Sequence, residues 1–315
     1  MDTRETVRQA WQLTQAHLKT LIWYGALPSF FVIVVSSAYL AYQYNAFRTS
    51  ALFSDESHSI LDSISMVWEL VSDHTGLAIV LVILSIIFMF GYVIFPPMFR
   101  GVMIHAVNRI RKNQDITGSV ESGIGHFFPM FEYGILTGAF GITTLFTESS
   151  LILRWWGQDA FFIALPFFFF VAIIGFIINF LFTYSEYYII LEEKGVIQSI
   201  KESSILVLAN LRRTFLVFAL LLLIAARTIL NVLLVLLIPM LVVAVSTFFA
   251  TKFLTLIAFV IVGLLSLIIL LISAYLLGLF NIFTTAVWVL TFGLLRQGQA
   301  EPKIAKDEPL ELQQS

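Results

Sequence analysis

Polar stretches along this chain alternate with apolar runs of twenty residues and more. Six such runs stand out, at about 21–44, 77–104, 131–153, 160–191, 214–249 and 253–295. A helix crosses a bilayer with roughly 20 apolar residues, so each run predicts a membrane helix. The last two are longer than needed and either tilt, kink or project from the lipid. Pro239 offers a kink in the fifth and Gly278 a weak point in the sixth; a broken helix pair at either would give seven or eight crossings.

The polar stretches carry a pattern of their own. Residues 10–20 precede the first run and residues 203–213 the fifth, and in register Leu13 meets Leu206, Ala16 meets Ala209, Leu18 meets Leu211 and Lys19 meets Arg212. A looser third copy is 119–130, ahead of the third run. Both close copies are helix-compatible with a basic end at the membrane, which suits an amphipathic helix lying in the interface. The expected fold is an all-α polytopic transmembrane bundle of about six spans. It is arranged as three hairpins, each led in by a cytoplasmic interfacial helix. Any apolar stripe followed by Lys/Arg and then lipid has the same look, so internal duplication is one of two readings. In the outer connection 45–76, Ile60, Ile64, Val67 and Val71 have helical spacing. Its Asp55, Glu56, Asp62, Glu69, Asp73, His58 and His74 read as a solvated loop or as a cation site, without a recognised ligand motif.

Charge gives the sidedness. Fourteen Lys/Arg fall in the N-terminal segment, the second and fourth connections and the tail, three (Arg48, Arg154, Lys252) fall opposite, and Arg227 lies within a span. The positive-inside rule then puts both termini in the cytoplasm, with an uncleaved first helix and a single membrane domain, 1–295. The tail, 296–315, is polar and expected to be disordered. Composition agrees: of 315 residues 59% are hydrophobic and 12% charged, about half the charge of a soluble domain. That excludes a soluble enzyme, a nucleic-acid partner and a disordered chain. Cysteine is absent, which removes disulfides and thiol chemistry.

The most distinctive segment is 184–213. It contains Tyr187-Tyr188-Ile189-Ile190-Leu191-Glu192-Glu193-Lys194-Gly195, then Ser199-Ile200-Lys201-Glu202-Ser203, then Asn210-Leu211-Arg212-Arg213. With Pro96-Pro97-Met98-Phe99-Arg100-Gly101 at the second-run exit, it resembles a bacterial group of uncharacterised six-helix membrane proteins. That group is related to the membrane domain attached to some glycerophosphodiester phosphodiesterases. The resemblance implies a bacterial-type cytoplasmic (inner) membrane protein. It implies no phosphodiesterase activity, because that chemistry belongs to a soluble domain the two-part proteins add. Physically, Gly195 fits a helix C-cap, Ser199 or Ser203 fits backbone groups near the next helix start, and the cations fit a headgroup layer.

Polar groups inside spans are the candidates for chemistry. Arg227 lies 14 residues from Arg213, ~21 Å along a helix, with Asn231 one turn on. The pair either forms an interior polar patch, with Glu148 or Asp159 as counter-ion, or Arg227 snorkels to headgroups. Glu186 and Asn179 share a face of the fourth run, and Asn281 lies in the sixth. Arg227, Asn231, Asn281, Asn179 and Glu186 are therefore the candidate interior polar site, and Arg109, Arg111, Lys112, Lys201, Arg212 and Arg213 the candidate headgroup contacts. Gly134 and Gly138 form a GxxxG, which predicts close approach of another helix, more readily within the monomer than across a dimer. No HExxH, GxSxG or P-loop occurs, and the five His (17, 58, 74, 105, 126) are scattered. The expectation is a non-catalytic protein without cofactor or metal, acting through membrane lipids or a membrane protein partner at its interfacial helices. The alternative is a small-molecule or lipid transporter built on the interior polar site.

Overall fold

A computed structural model describes residues 3–48, 75–228, 230 and 255–300, and among these every regular element is helical. In chain order they are α1 (Thr3–Ala16), α2 (Leu18–Arg48), α3 (Thr75–Arg111), α4 (Ser119–Gly125), α5 (Phe127–Gly138), α6 (Ile142–Trp155), α7 (Gly157–Leu181), α8 (Ser185–Leu191), α9 (Val196–Ala209), α10 (Leu211–Thr228) and α11 (Thr255–Ala300). Four stretches are singly long and apolar enough to cross a membrane: Leu18–Gln43, Ala78–Arg111, Gly157–Leu191 and Leu264–Gln297. The pair α5/α6, bent by 47°, and the pair α9/α10, bent by 100°, raise the number to six if each is one span. The molecule is an all-α bundle with the helices of an integral membrane protein.

The register read from sequence is that of the helix breaks. α1 ends at Ala16 and α9 at Ala209; His17 and Asn210 interrupt; α2 starts at Leu18 and α10 at Leu211. The third copy keeps step, with α4 ending at Gly125, His126 interrupting and α5 starting at Phe127. One backbone bond recurs at all three breaks: the amides of Leu21, Met130 and Thr214 donate to the carbonyls of His17, His126 and Asn210, each at 3.0 Å. Equivalent side chains are buried alike: Ala10, Ser119 and Ser203 on the lead helices, then Leu21, Met130 and Thr214 one turn into the helices that follow.

Small residues make up the buried faces of α1 and α4 and part of that of α9, which lets each lie close on the helix beneath. α1 buries Thr6, Ala10 and Thr14, and α9 buries Ser199 and Ser203 with Leu206 and Val207. α4 docks on α3, α9 on α8, and α1 on α11. Each lead helix therefore sits on the end of the helix that precedes it, and α1 treats α11 as its predecessor. The three docked ends, 102–107, 184–190 and 282–295, form one core with Tyr184, Tyr187 and Tyr188 packed on Trp288 and Phe292.

Local chemistry explains the breaks. Between α7 and α8 the chain leaves helical bonding at Phe182–Tyr184, and Ser203 of α9 repairs it. The Ser203 hydroxyl donates to Leu181 O at 2.8 Å and accepts from Tyr184 N–H at 2.9 Å. Gly195 does not cap the fourth span. It is the extended N-cap of α9 (φ −63°, ψ 155°), and the left-handed residue of that turn is Glu193 (φ 51°). The expected weak point at Gly278 is instead a crossing inside one continuous helix of 46 residues, ~69 Å long at 1.5 Å per residue. A Cβ on Gly278 would lie 2.6 Å from Ala26 N, and one on Gly25 the same distance from Gly278 O, so α2 and α11 touch backbone to backbone. The GxxxG makes no such contact, since Cβ atoms at Gly134 and Gly138 would meet open space. Close approach occurs instead at Gly175, against Phe140 O. α11 also runs on to Ala300, past the expected domain boundary at 295. The outer connection over 49–74, with its acidic and histidine residues, lies outside the described residues, as do Pro239 and the tail beyond Ala300.

Candidate functional site

Three prolines line one wall of a cavity of about 510 Å³: Pro28 in α2, and Pro96 and Pro97 in α3. A proline inside a helix removes the amide that would bond the carbonyl four residues back and its ring crowds that carbonyl. The carbonyls of Tyr92 and Val93 thereby lose their usual helical donors, and both residues border the same cavity. The other walls come from Val32, Leu277 and the face of α5 carrying Met130, Gly134 and Ile135. The cavity is open on one side, where Ile135 (58% exposed) and Tyr92 stand at its rim.

Its polar end is one connected chain of bonds across four helices. Arg100 Nε of α3 donates to Glu186 Oε2 of α8 at 2.7 Å, and Arg100 Nη1 donates to Thr285 Oγ1 of α11 at 2.8 Å. The Thr285 hydroxyl donates to Asn281 O at 2.7 Å, and Asn281 Nδ2 donates to Ser29 Oγ of α2 at 3.2 Å. Ser29 in turn donates to Gly25 O at 2.7 Å. The Gly25–Gly278 crossing sets this last link, because Ser29 and Asn281 lie about one turn beyond it on their helices. Arg100, Glu186, Ser29 and Asn281 all border the cavity. Beside them Tyr133 donates to Phe182 O at 3.0 Å, while the fully buried Tyr187 hydroxyl has no partner among the described residues. Paired charges at partial burial recoup their desolvation only through such added bonds.

Of the residues expected to form an interior polar site, the structure brings Glu186 and Asn281 together and leaves the others out. Asn179 Nδ2 donates to Gly175 O within its own helix, at 2.9 Å. Arg227 is on the exposed face of α10, and Glu148 and Asp159 are exposed as well. Asn231 lies outside the described residues. Arg227 does not border the cavity described above. Arg100, Thr285, Ser29 and Tyr133 take part instead. Arg100 enters the sequence reading through its charge and the Pro96–Gly101 motif but not as a site residue, although a cation nine positions before Arg109 and just after two prolines is a signal of its own.

The expected headgroup contacts lie at the end of α3 (Arg109, Arg111, with Lys112 just past it), in the middle of α9 (Lys201) and at the start of α10 (Arg212, Arg213). Lys112, Lys201 and Arg212 are exposed. Arg109 is tied to the carbonyl of Asp115, and Arg111 rests against Gly293 of α11. In the same turn the Thr117 hydroxyl and the Ile116 amide hold the Asp115 carboxyl below its ordinary range. A second charge cluster closes the 192–202 turn. Lys194 bonds Glu192 at 2.7 Å and Glu202 at 2.5 Å, and Arg296 of α11 bonds Glu192 at 2.8 Å. The Tyr188 ring lies under both cations. Loss of hydration opposes the Lys194 charge, but its hydrogen bonds to Glu192 and Glu202 prevail and raise its pKa, while the bond from Lys194 lowers that of Glu202.

The two stretches that carry the sequence resemblance, 96–101 and 184–213, are the ones joined by the Arg100–Glu186 pair. Comparison with protein-family models, with curated proteins and with solved structures finds no match to this chain.

Proposed function

We propose that this chain is a multi-pass protein of a bacterial-type cytoplasmic membrane, with both termini inside, that binds a membrane lipid in the Arg100–Glu186 cavity and acts by binding rather than catalysis. The observation that carries this reading is the cavity's two-part lining, one ionic and amide end continuing into apolar walls with an open side. A headgroup suits the first part and an acyl chain the second. Depth supports it. α4 crosses α3 where Gly123 meets Met98 O and Val102, so if α4 lies in the interface Arg100 is at headgroup level. The exposed face of α9, with Ile197, Lys201, Ile205 and Leu208, has the mixed character of an interfacial helix. At the ionic end most polar groups are held by one another, which suits a preformed binding site.

Gly134→Leu tests this, because it fills the cavity from a position with open space and so spares the packing. Native mass spectrometry of protein released in mild detergent is expected to find retained lipid on the wild type and little on the variant. Equal lipid on both overturns the reading. For sidedness, the cysteine-free chain permits single labels: Asp2→Cys and Gln313→Cys are expected to resist impermeant reagents in intact cells, and labelling of either overturns the orientation.

A further inference from the structure

We infer that the lipid held in this cavity carries a primary amine beside its phosphate, a headgroup of the phosphatidylethanolamine type, with Arg100 facing the phosphate and Glu186 the ammonium. The inference rests on the lipid reading above and adds the headgroup to it.

The ion pair is a single contact. Arg100 Nε bonds Glu186 Oε2 and Arg100 Nη1 bonds Thr285, so Arg100 Nη2 and Glu186 Oε1 make no hydrogen bond among the described residues. Both side chains border the cavity, which therefore offers one guanidinium donor and one carboxylate acceptor, adjacent and of opposite sign. Guanidinium groups match phosphate oxygens, and an ionised carboxylate only accepts. A headgroup with a phosphate and an ammonium joined by a two-carbon bridge answers both. Net charge discriminates further. The Arg100–Glu186 pair is neutral as a unit, so an anionic lipid would bring an uncompensated negative charge to Glu186, whereas a zwitterion brings none. A primary ammonium has three N–H donors, one of which can reach Glu186 Oε1 in any rotation; a trimethylammonium has none.

The test uses the wild-type chain in detergent and five lipids with the same acyl chains: phosphatidylethanolamine, its N-methyl and N,N-dimethyl forms, phosphatidylcholine and phosphatidylglycerol. Retention measured by native mass spectrometry is expected to fall along the methylation series, by about tenfold or more at phosphatidylcholine, the scale of one lost charged hydrogen bond. Phosphatidylglycerol is expected to fall by a similar factor. Glu186→Gln is expected to close the gap between ethanolamine and glycerol headgroups. If that variant does not fold, the methylation series on the wild type decides by itself. A flat series, or phosphatidylglycerol retained as well as phosphatidylethanolamine, overturns the headgroup assignment while retained lipid sensitive to Gly134→Leu leaves the cavity reading intact. Lipid insensitive to Gly134→Leu overturns both. Competition by soluble glycerophosphoethanolamine as strong as by the lipid overturns the lipid as source and leaves the headgroup chemistry.

Discussion

Each half of α3 carries an apolar run, uninterrupted in the first and set among prolines and cations in the second, and the two runs have opposite surroundings. From Ile79 to Phe90 nearly every large side chain is exposed, Ile79 at 55%, whereas from Val102 to Val107 all but His105 are buried, Ile104 completely. The first run meets α2 at Phe88, under Phe30 and Phe31, and is otherwise exposed where the proposed bilayer would surround it, whereas the second lies in the half of α3 that packs on α4 and α8. Hydrocarbon surrounds a leucine as favourably as a protein interior does, so the first half gains little from helix contact. Among the described residues most of the buried core lies where the lead helices dock, with Tyr39, Gln43, Thr147 and Ser150 as a smaller bonded cluster between α2 and α6.

The largest expected effect comes from Arg100→Leu, which leaves Glu186 partly buried and unpaired and should cost about 3–5 kcal/mol. Ile83→Ala on the exposed half should stay within about 0.5 kcal/mol. Thermal unfolding in one detergent measures both, and similar shifts for the two would erase the distinction between the halves. Next is Gly278→Leu, at about 1–3 kcal/mol, because its side chain would have to displace the backbone of α2 rather than a flexible neighbour. It should also separate Ser29 from Asn281, which reduced lipid retention would report. Ser203→Ala removes both partners of the α7–α8 break and should cost about 1–2 kcal/mol, with faster amide exchange at Tyr184 as its local mark.

The smallest effect is that of pH on the Lys194 cluster, below about 1 kcal/mol because these side chains keep a fifth or more of their surface in solvent. Glu202 titrates below its ordinary range, so its share is present above that range and lost as pH falls through the lowered value. Lys194 titrates above its ordinary range, so its share is full below that range and lost as pH rises through the raised value. The turn should therefore hold evenly from about pH 5 to 10 and loosen on either side. Lys194→Met should flatten the acid limb of the thermal midpoint against pH; an unchanged limb would remove the cluster from the account.

What could be read from the sequence follows the same division. The register that aligns residues 10–20 with 203–213 was legible, and the breaks at His17 and Asn210 fall in it, but the expected runs at 21 and 214 start three residues past the observed helix starts at Leu18 and Leu211. The Arg100–Glu186 pair was not: Glu186 was a candidate for the interior, but Arg100 lies 86 residues away among the cytoplasmic cations, and no spacing links the two. Arg227 drew notice through its depth by count, but the leucine-rich helix around it has no period to say which way it faces. The GxxxG misled for a related reason: Gly138 and Gly141 serve the bend between α5 and α6, where Gly141 N–H donates to Gly138 O, and spacing does not separate a bend from a contact.

Because α1 rests on α11 as α4 rests on α3, the covalent order of the hairpins is only one way of stringing them. A gene permuted to begin near Gly118 and end near Lys112, with the old ends joined by a short polar linker, would encode the same neighbours in a new order. Such a permutant should insert and assemble. It would also indicate that the links between hairpins are tethers, which evolution could cut or fuse without redrawing the bundle.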